Sequence, residues 1–235
     1  MKLINIQKIT ATIKLQSGLH IGAGHAQMHI GGTDNPVIKN HTNSNPYIPG
    51  SSIKGKIRSL LEWHIGTVGD TDGAVLSFQH IGKLTANQDD AKTILKLFGG
   101  AADNNTSDEL LKQIGPTRLS FWDCNLNPDW LQQIENKNLQ KTEIKMENTI
   151  DRIQGTAANP RNIERVPAGA EFDFNLSVRV HDNDDNLEMI LKGLKLLELT
   201  GLGGSISRGF GKIKFENLKL DDKDIQEKLD QIQIK

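Results

Sequence analysis

Ile9, Ala11, Ile13 and Leu15 alternate with Thr10, Thr12, Lys14 and Gln16, the period of two that a sheet with one buried and one wet face requires. The alternation is cleanest over 171–181, where Phe172, Phe174, Leu176, Val178 and Val180 take the even positions and Glu171, Asp173, Asn175, Ser177 and Arg179 the odd ones. Helical spacing replaces it at Ile53, Ile57, Leu60 and Leu61, and again at Leu187, Ile190, Leu191, Leu194 and Leu197. Further strands are expected around Arg118–Cys124 and in Lys212–Phe215. The core elements therefore fall near 5–17, 52–64, 117–124, 171–181, 187–200 and 211–218, in the order β, α, β, β, α, β.

Between them lie three polar excursions. Residues 18–50 form a long loop rich in glycine, asparagine, histidine and proline, and a loop of that length is more often functional than idle. Residues 66–116 read as an insertion, a lid, with one helix from Asn87 to Phe98 closed by Gly99 and loops around it. Residues 125–170 read as an arm in which Lys145, Arg152, Arg161 and Arg165 are interleaved with acids and with exposed-looking Met146, Ile150 and Ile153. One α+β domain over 1–235 accommodates all of this: a ferredoxin-like or RRM-like βαββαβ core with an antiparallel sheet and both helices on one face. The aromatic motifs with which RRMs stack bases are absent.

Composition narrows the class without naming a function. The formal net charge is −1, from 28 basic and 29 acidic residues, so any nucleic-acid surface must be local. The single cysteine, Cys124, leaves neither an internal disulfide nor a cysteine-rich zinc site. No apolar run resembles an export signal or reaches the roughly 18 residues of a membrane span, so a cytoplasmic protein with no membrane partner is expected. His20, His25, His29 and His41 lie in or beside the long loop, but glycines separate them and no cysteine pair accompanies them, so no zinc is expected. RNA contacts or ordinary surface positions suit them better.

Two stretches carry candidate chemistry. In Gly201–Gly211, five of eleven residues are glycine. Gly201 is a natural αL stop for the preceding helix, and a strand follows. The stretch is either a tight structural turn or an anion-binding loop. In the second case the loop N–H groups around Gly203 and Gly204 would form a nest, helped by Ser205, Ser207 and Arg208. The other stretch is the helix after Pro49, for which Ser51 or Ser52 is available as N-cap. Its opening turns hold Lys54, Lys56 and Arg58 with no acid before Glu62. Cations there oppose the helix dipole unless an anion lies between. Lys54 and Arg58, four apart, share a face, which is either a solvated basic face or a phosphate-binding one.

Tyr47–Arg58, Gly31–Ile38, Glu147–Arg152, Glu164–Gly169 and Gly201–Gly211 together resemble the third subunit of the type III-A CRISPR Csm complex. The match is spread over nearly the whole chain, and several blocks in one order are far more specific than any single one. The family is a RAMP protein whose copies line up along a CRISPR RNA and cut the bound target RNA. The resemblance implies that Asp34 matches the catalytic aspartate, that 125–170 matches the thumb, and that Lys54, Arg58 and the glycine loop touch guide RNA. His20, Ser51, Ser52, Lys56, Arg152 and Arg161 join the expected RNA contacts, and Met146, Ile150 and Ile153 are the expected thumb tips. The implied partners are CRISPR RNA, single-stranded target RNA, further copies of the chain and other Csm subunits. From the residues alone Asp34 reads first as a turn former before Asn35-Pro36. As a catalyst it would accept the 2′-OH proton or position Mg²⁺ or another divalent cation. A non-catalytic RNA scaffold, a type III-B backbone subunit and a CRISPR-RNA-processing RAMP enzyme with a histidine base remain as alternatives.

Overall fold

The computed structural model describes residues 2–24, 35–104, 106–182 and 184–234. In chain order the strands are β1 Leu3–Leu15, β2 Tyr47–Ile48, β3 Leu119–Phe121, β4 Cys124–Asn125, β5 Glu143–Ile150, β6 Ala157–Arg165, β7 Glu171–His181, β8 Ile213–Leu220 and β9 Lys223–Asp224. The α-helices are α1 Gly50–His64, α2 Gln88–Phe98, α3 Asp108–Ile114, α4 Pro128–Asn136, α5 Leu187–Thr200 and α6 Gln226–Asp230. Five strands form one antiparallel sheet in the order β3-β7-β1-β8-β9. Taking β1, β3, β7 and β8 as the four core strands, this is the ferredoxin-like arrangement, with α1 crossing from β1 to β3 and α5 from β7 to β8.

Register explains the layering. Ile13 faces Phe172, Ala11 faces Phe174 and Ile9 faces Leu176 across β1 and β7, and Ile13 also faces Phe215 on β8. These side chains are buried with Ile53, Ile57 and Leu61 of α1 and Ile190, Leu194 and Leu197 of α5. Each large apolar side chain so covered contributes about 1.5–3 kcal/mol relative to exposure. Phe174 and Phe215 meet edge to face at 5.2 Å. The two helices approach closely at Gly193, where a Cβ would stand 2.5 Å from Ile57. The opposite face of the sheet is mostly polar, with Lys14 3.5 Å from both Glu171 and Glu216, though Ile6 and Trp122 are exposed on it.

Four local expectations need correction. The strand placed near 117–124 is broken: β3 pairs with β7, while β4 leaves the sheet to pair with β2. A second helix, α3, occupies part of the insertion read as loop; its N-cap Ser107 Oγ accepts from Leu110 N–H at 3.2 Å. Seven residues are too short a run for helical periodicity to stand out. Gly201 ends α5 at φ 94°, ψ 166°, a conformation reserved for glycine but not the expected αL one. The charged C-terminal segment reads from sequence as helical or frayed; it does hold a helix, α6, but a strand, β9, comes before it.

Candidate RNA interface at one end of the sheet

β1 runs antiparallel to both β7 and β8. The end of β1, the starts of β7 and β8, the N-terminus of α1 and the C-terminus of α5 therefore lie at one end of the sheet. The excursions at 16–48, 125–170 and 201–211 all emerge there, so the sequence's candidate sites are brought together by topology.

At α1 the cap is Pro49, without any side-chain hydrogen bond from serine. Instead Gly50 N–H donates to Asp123 Oδ1 at 2.8 Å. The carboxylate that the dipole favours thus comes from the β3–β4 bend. Gly50 must be glycine because a Cβ would lie 2.5 Å from the Phe121 carbonyl oxygen. Ser51 is exposed and Ser52 half-buried, its N–H donating to Pro49 O. Lys54 and Lys56 are half-exposed, and no ion pair holds either among the described residues. Arg58 behaves differently. Its Nε bonds Glu62 Oε1 at 2.8 Å, its Nη2 bonds Leu76 O at 2.5 Å, and its side chain is 14% exposed. Arg58 therefore ties α1 to the insertion and does not share a free phosphate-binding face with Lys54.

The glycine loop packs before it binds. Gly204 N–H donates to His20 O and Gly211 N–H to Gly18 O, both at 2.9 Å. A Cβ on Gly203 would stand 2.4 Å from His20 O, and one on Gly211 would overlap Leu202 O. These glycines let 201–211 lie directly on the segment after β1, which consumes the Gly204 N–H, one of those expected of an anion nest. Ser207 is exposed, whereas Ser205 Oγ accepts from Arg208 Nη2 at 2.5 Å.

His20 Nδ1 lies 2.7 Å from Glu164 O. A carbonyl only accepts, so the proton sits on Nδ1 and Nε2 is the basic nitrogen of the neutral ring. Glu164 is a buried hub: its carboxylate accepts from Val37 N–H (2.9 Å), Lys39 Nζ (2.6 Å) and Thr142 Oγ1 (2.7 Å), and its N–H donates to Asn35 O (3.1 Å). Burial would raise its carboxyl pKa. The bonds from Lys39, Thr142 and Val37 with the Lys39 charge more than offset this and hold it below the usual value. A cleft of about 430 Å³ opens beside this hub, with Lys39, His41, Tyr47, Asp123 and Asn125 on its walls. Asp34, His25 and His29 lie outside the described residues.

Within the arm, β5 and β6 form a hairpin. Its tip is turned by Asp151, whose Oδ1 accepts from Ile153 and Gln154 N–H. The residues that point away from the body, Ile144, Met146 and Ile150, are 55–61% exposed, and Ile153 at the tip is 98% exposed. Met146 lies in the middle of β5, not at the tip. Arg152 and Arg161 are exposed, and neither is held in an ion pair among the described residues.

Residues 12–214 match the RAMP superfamily. The "CRISPR system Cms endoribonuclease Csm3" of Methanothermobacter thermautotrophicus is 39% identical over 234 residues, covering 93% of this chain and 86% of that one. This chain belongs to the RAMP superfamily. Within the RAMPs it falls in the Csm3 family, since Csm3 of Streptococcus thermophilus is also 41% identical over 90% of this chain and 88% of its own. Among solved structures, a crystal structure of a Csm3-Csm4 subcomplex of the type III-A CRISPR-Cas interference complex matches with TM-score 0.54 and 27% identity, over 94% of this chain and 80% of that one. A type III-B Cmr-beta assembly bound to cognate target RNA matches with TM-score 0.55 at 14% identity, over 92% of this chain and 60% of that one, a likeness of fold alone.

Asp123 and Phe210 carry weight in this RAMP chain that pattern reading missed. Asp123 sits in a broken strand and caps a helix remote in sequence, so no local signal announces it. Phe210 reads as one apolar residue among glycines, yet it is buried with Lys145 Nζ 4.5 Å and the Arg165 guanidinium 5.0 Å from its ring centre. Among the described residues no three histidine, cysteine or acidic side chains come together to hold a metal ion, and no helix is long and apolar enough to cross a membrane.

Proposed function

We propose that this RAMP protein is a repeated backbone subunit of a type III-A CRISPR effector, which binds a CRISPR RNA and cleaves complementary target RNA. One observation carries this: relatives named as Csm3 endoribonucleases align over about nine-tenths of the chain. The shape supports it. Among the described residues, Lys54 and Lys56 near the α1 N-terminus and Arg152 and Arg161 on the hairpin sit in no ion pair, and the hairpin adds an exposed apolar edge. Other copies of the chain, other Csm subunits and the two RNAs are the partners of this function, and the cytoplasm is its location.

RNA carries its own nucleophile, the 2′-OH. Scission requires that hydroxyl aligned with the adjacent phosphate, its proton removed, and the developing charge stabilised. Asp34 is the proposed catalytic residue, accepting the proton or positioning a divalent cation. The described residues contain no preformed carboxylate cage for such an ion, so the cation belongs to the proposal through Asp34 alone and no step is routed through it. The chain's part is alignment. Ile144, Met146, Ile150 and Ile153 can wedge between stacked bases, at a cost of a few kcal/mol of unstacking that apolar contact and the flanking Arg152 and Arg161 offset. His20, Ser51, Ser52, Ser207 and the glycine loop complete the proposed RNA surface.

The test is to purify the assembled complex, identify its RNA and offer a complementary RNA. Regularly spaced cuts are expected from the wild type, and none from Asp34→Ala at unchanged guide content. Cutting by Asp34→Ala would remove the catalytic assignment, and wild-type cutting that survives chelation would remove the cation. A scaffold without activity would show bound guide and an intact target.

A further inference from the structure

The hairpin is two-faced, and its second face is the more informative. Glu143, Lys145 and Glu147 occupy the odd positions of β5 and turn toward the body. Glu147 is 12% exposed at the side chain and holds two cations, Arg208 Nη1 at 2.5 Å and Lys145 Nζ at 3.2 Å. Lys145 Nζ also reaches the Arg208 carbonyl at 3.3 Å. On β6, Arg165 pairs with Glu143 at 2.7 Å. Its side chain passes over Gly18 so closely that a Cβ there would stand 2.5 Å from Arg165 Cδ. Lys145 and Arg165 both lie against the Phe210 ring. The contacts to Arg208, Phe210 and Gly18 end on the glycine loop or on the segment beneath it, while the Glu147–Lys145 and Glu143–Arg165 pairs brace the hairpin internally.

We propose that the glycine loop is the seat of the hairpin and that Glu147, through Arg208, is a positioning residue that sets the hairpin's height over the sheet and hence where target RNA is cut. This rests on the proposed function for its consequence, though not for the tether itself. An isolated exposed ion pair would be too weak to fix a hairpin. Here one largely buried carboxylate is shared by two cations, and two cation–π contacts on a buried ring act alongside it. Arg208 is thereby assigned to the protein's own hairpin and not primarily to a phosphate.

Hydrogen exchange on the chain without RNA tests the tether directly. In Glu147→Ala the amides of β5 and β6 should exchange about tenfold faster, with β1 and β7 unchanged. Glu147→Gln, which keeps hydrogen bonding, should fall between. The charge swap Glu147→Arg with Arg208→Glu should return exchange toward the wild type, whereas Arg208→Glu alone should not. In the assembled complex Glu147→Ala should retain guide RNA and scatter the cuts over neighbouring positions, and the swap should restore their interval. Unchanged hairpin exchange in Glu147→Ala overturns the tether, as does a swap as loose as the single variants. Loosened exchange with cuts still at the wild-type interval overturns the positioning role. If the wild-type complex does not cut at all, the proposed function fails while the exchange result still decides the tether.

Discussion

Strand β7 places an apolar side chain at every second position and β5 does so at Ile144, Met146 and Ile150 with Asn148 interrupting, yet Phe172, Phe174, Leu176 and Val178 are at most 5% exposed while Ile144, Met146 and Ile150 are 55–61% exposed. β7 is central in a sheet covered by α1 and α5. β5 belongs to a two-stranded hairpin attached to the body by its charged side and by the buried Ile163 and Glu164 at the base of β6. Alternation fixes which residues share a side of a strand; it is silent on what covers that side. An apolar face left bare on a well-formed hairpin is a binding surface in waiting, and the difference between the two strands separates what the chain uses to fold from what it leaves uncovered.

The contrast should break most visibly in the core. Phe174→Ala removes a ring packed on Phe215 and should cost about 3–5 kcal/mol, read as a lowered urea midpoint in the purified chain. Acid should act next, through carboxylates that pin loops to the sheet. Burial would raise both Glu164 and Asp184. Hydrogen bonds and charge from Lys39 on the first and Arg118 on the second hold them below their ordinary values of 4.5 and 3.8. The folded state thus binds these protons more weakly than the unfolded one. Their stabilisation is complete above those ordinary values and is lost as pH falls through the lower folded ones. A urea midpoint that falls as the pH drops below 4.5, and falls less steeply in Glu164→Gln, would bear this out.

Smaller effects distinguish Lys54 from Arg58 on α1. Lys54→Ala should flatten the salt dependence of RNA binding by about 0.7 in the log–log slope. Arg58→Ala should leave that slope alone and lower stability instead, because its guanidinium is occupied by Glu62 and Leu76. An equal loss of slope in both would restore Arg58 to the RNA surface. The smallest effect sharpens the comparison most. Met146→Ser and Ile150→Ser should each stay within about 0.5 kcal/mol of wild-type stability, while blurring the cutting interval. A large loss of stability would mean that this face is covered in the folded chain after all.

The sheet and its two main helices were legible in the sequence because each buries one side, and burial imposes a period of 2 or 3.6 on residue choice. β3 was harder to read, being three residues long and followed by a bend. The candidate site was legible in its parts. The glycine stretch, the basic turn of α1 and the apolar residues of the arm all stand out from their surroundings. Their partners do not. Asp123 at Gly50, Glu62 at Arg58 and Glu147 at Arg208 are ordinary acids in sequence, and only the fold shows which cation or N–H each one occupies.

By itself, then, the sequence determined the order of the six core elements, which side of the long core strands faces the core, and the glycine stretch at 201–211, since these follow from local sterics and from the need to bury apolar side chains. Tertiary structure alone decided which charges remain free. Among the described residues Lys54 and Lys56 are left without a carboxylate, Arg58 is tied to the insertion and Arg208 to the hairpin, because an ion pair forms between residues that topology brings within a few ångströms, however far apart they lie along the chain.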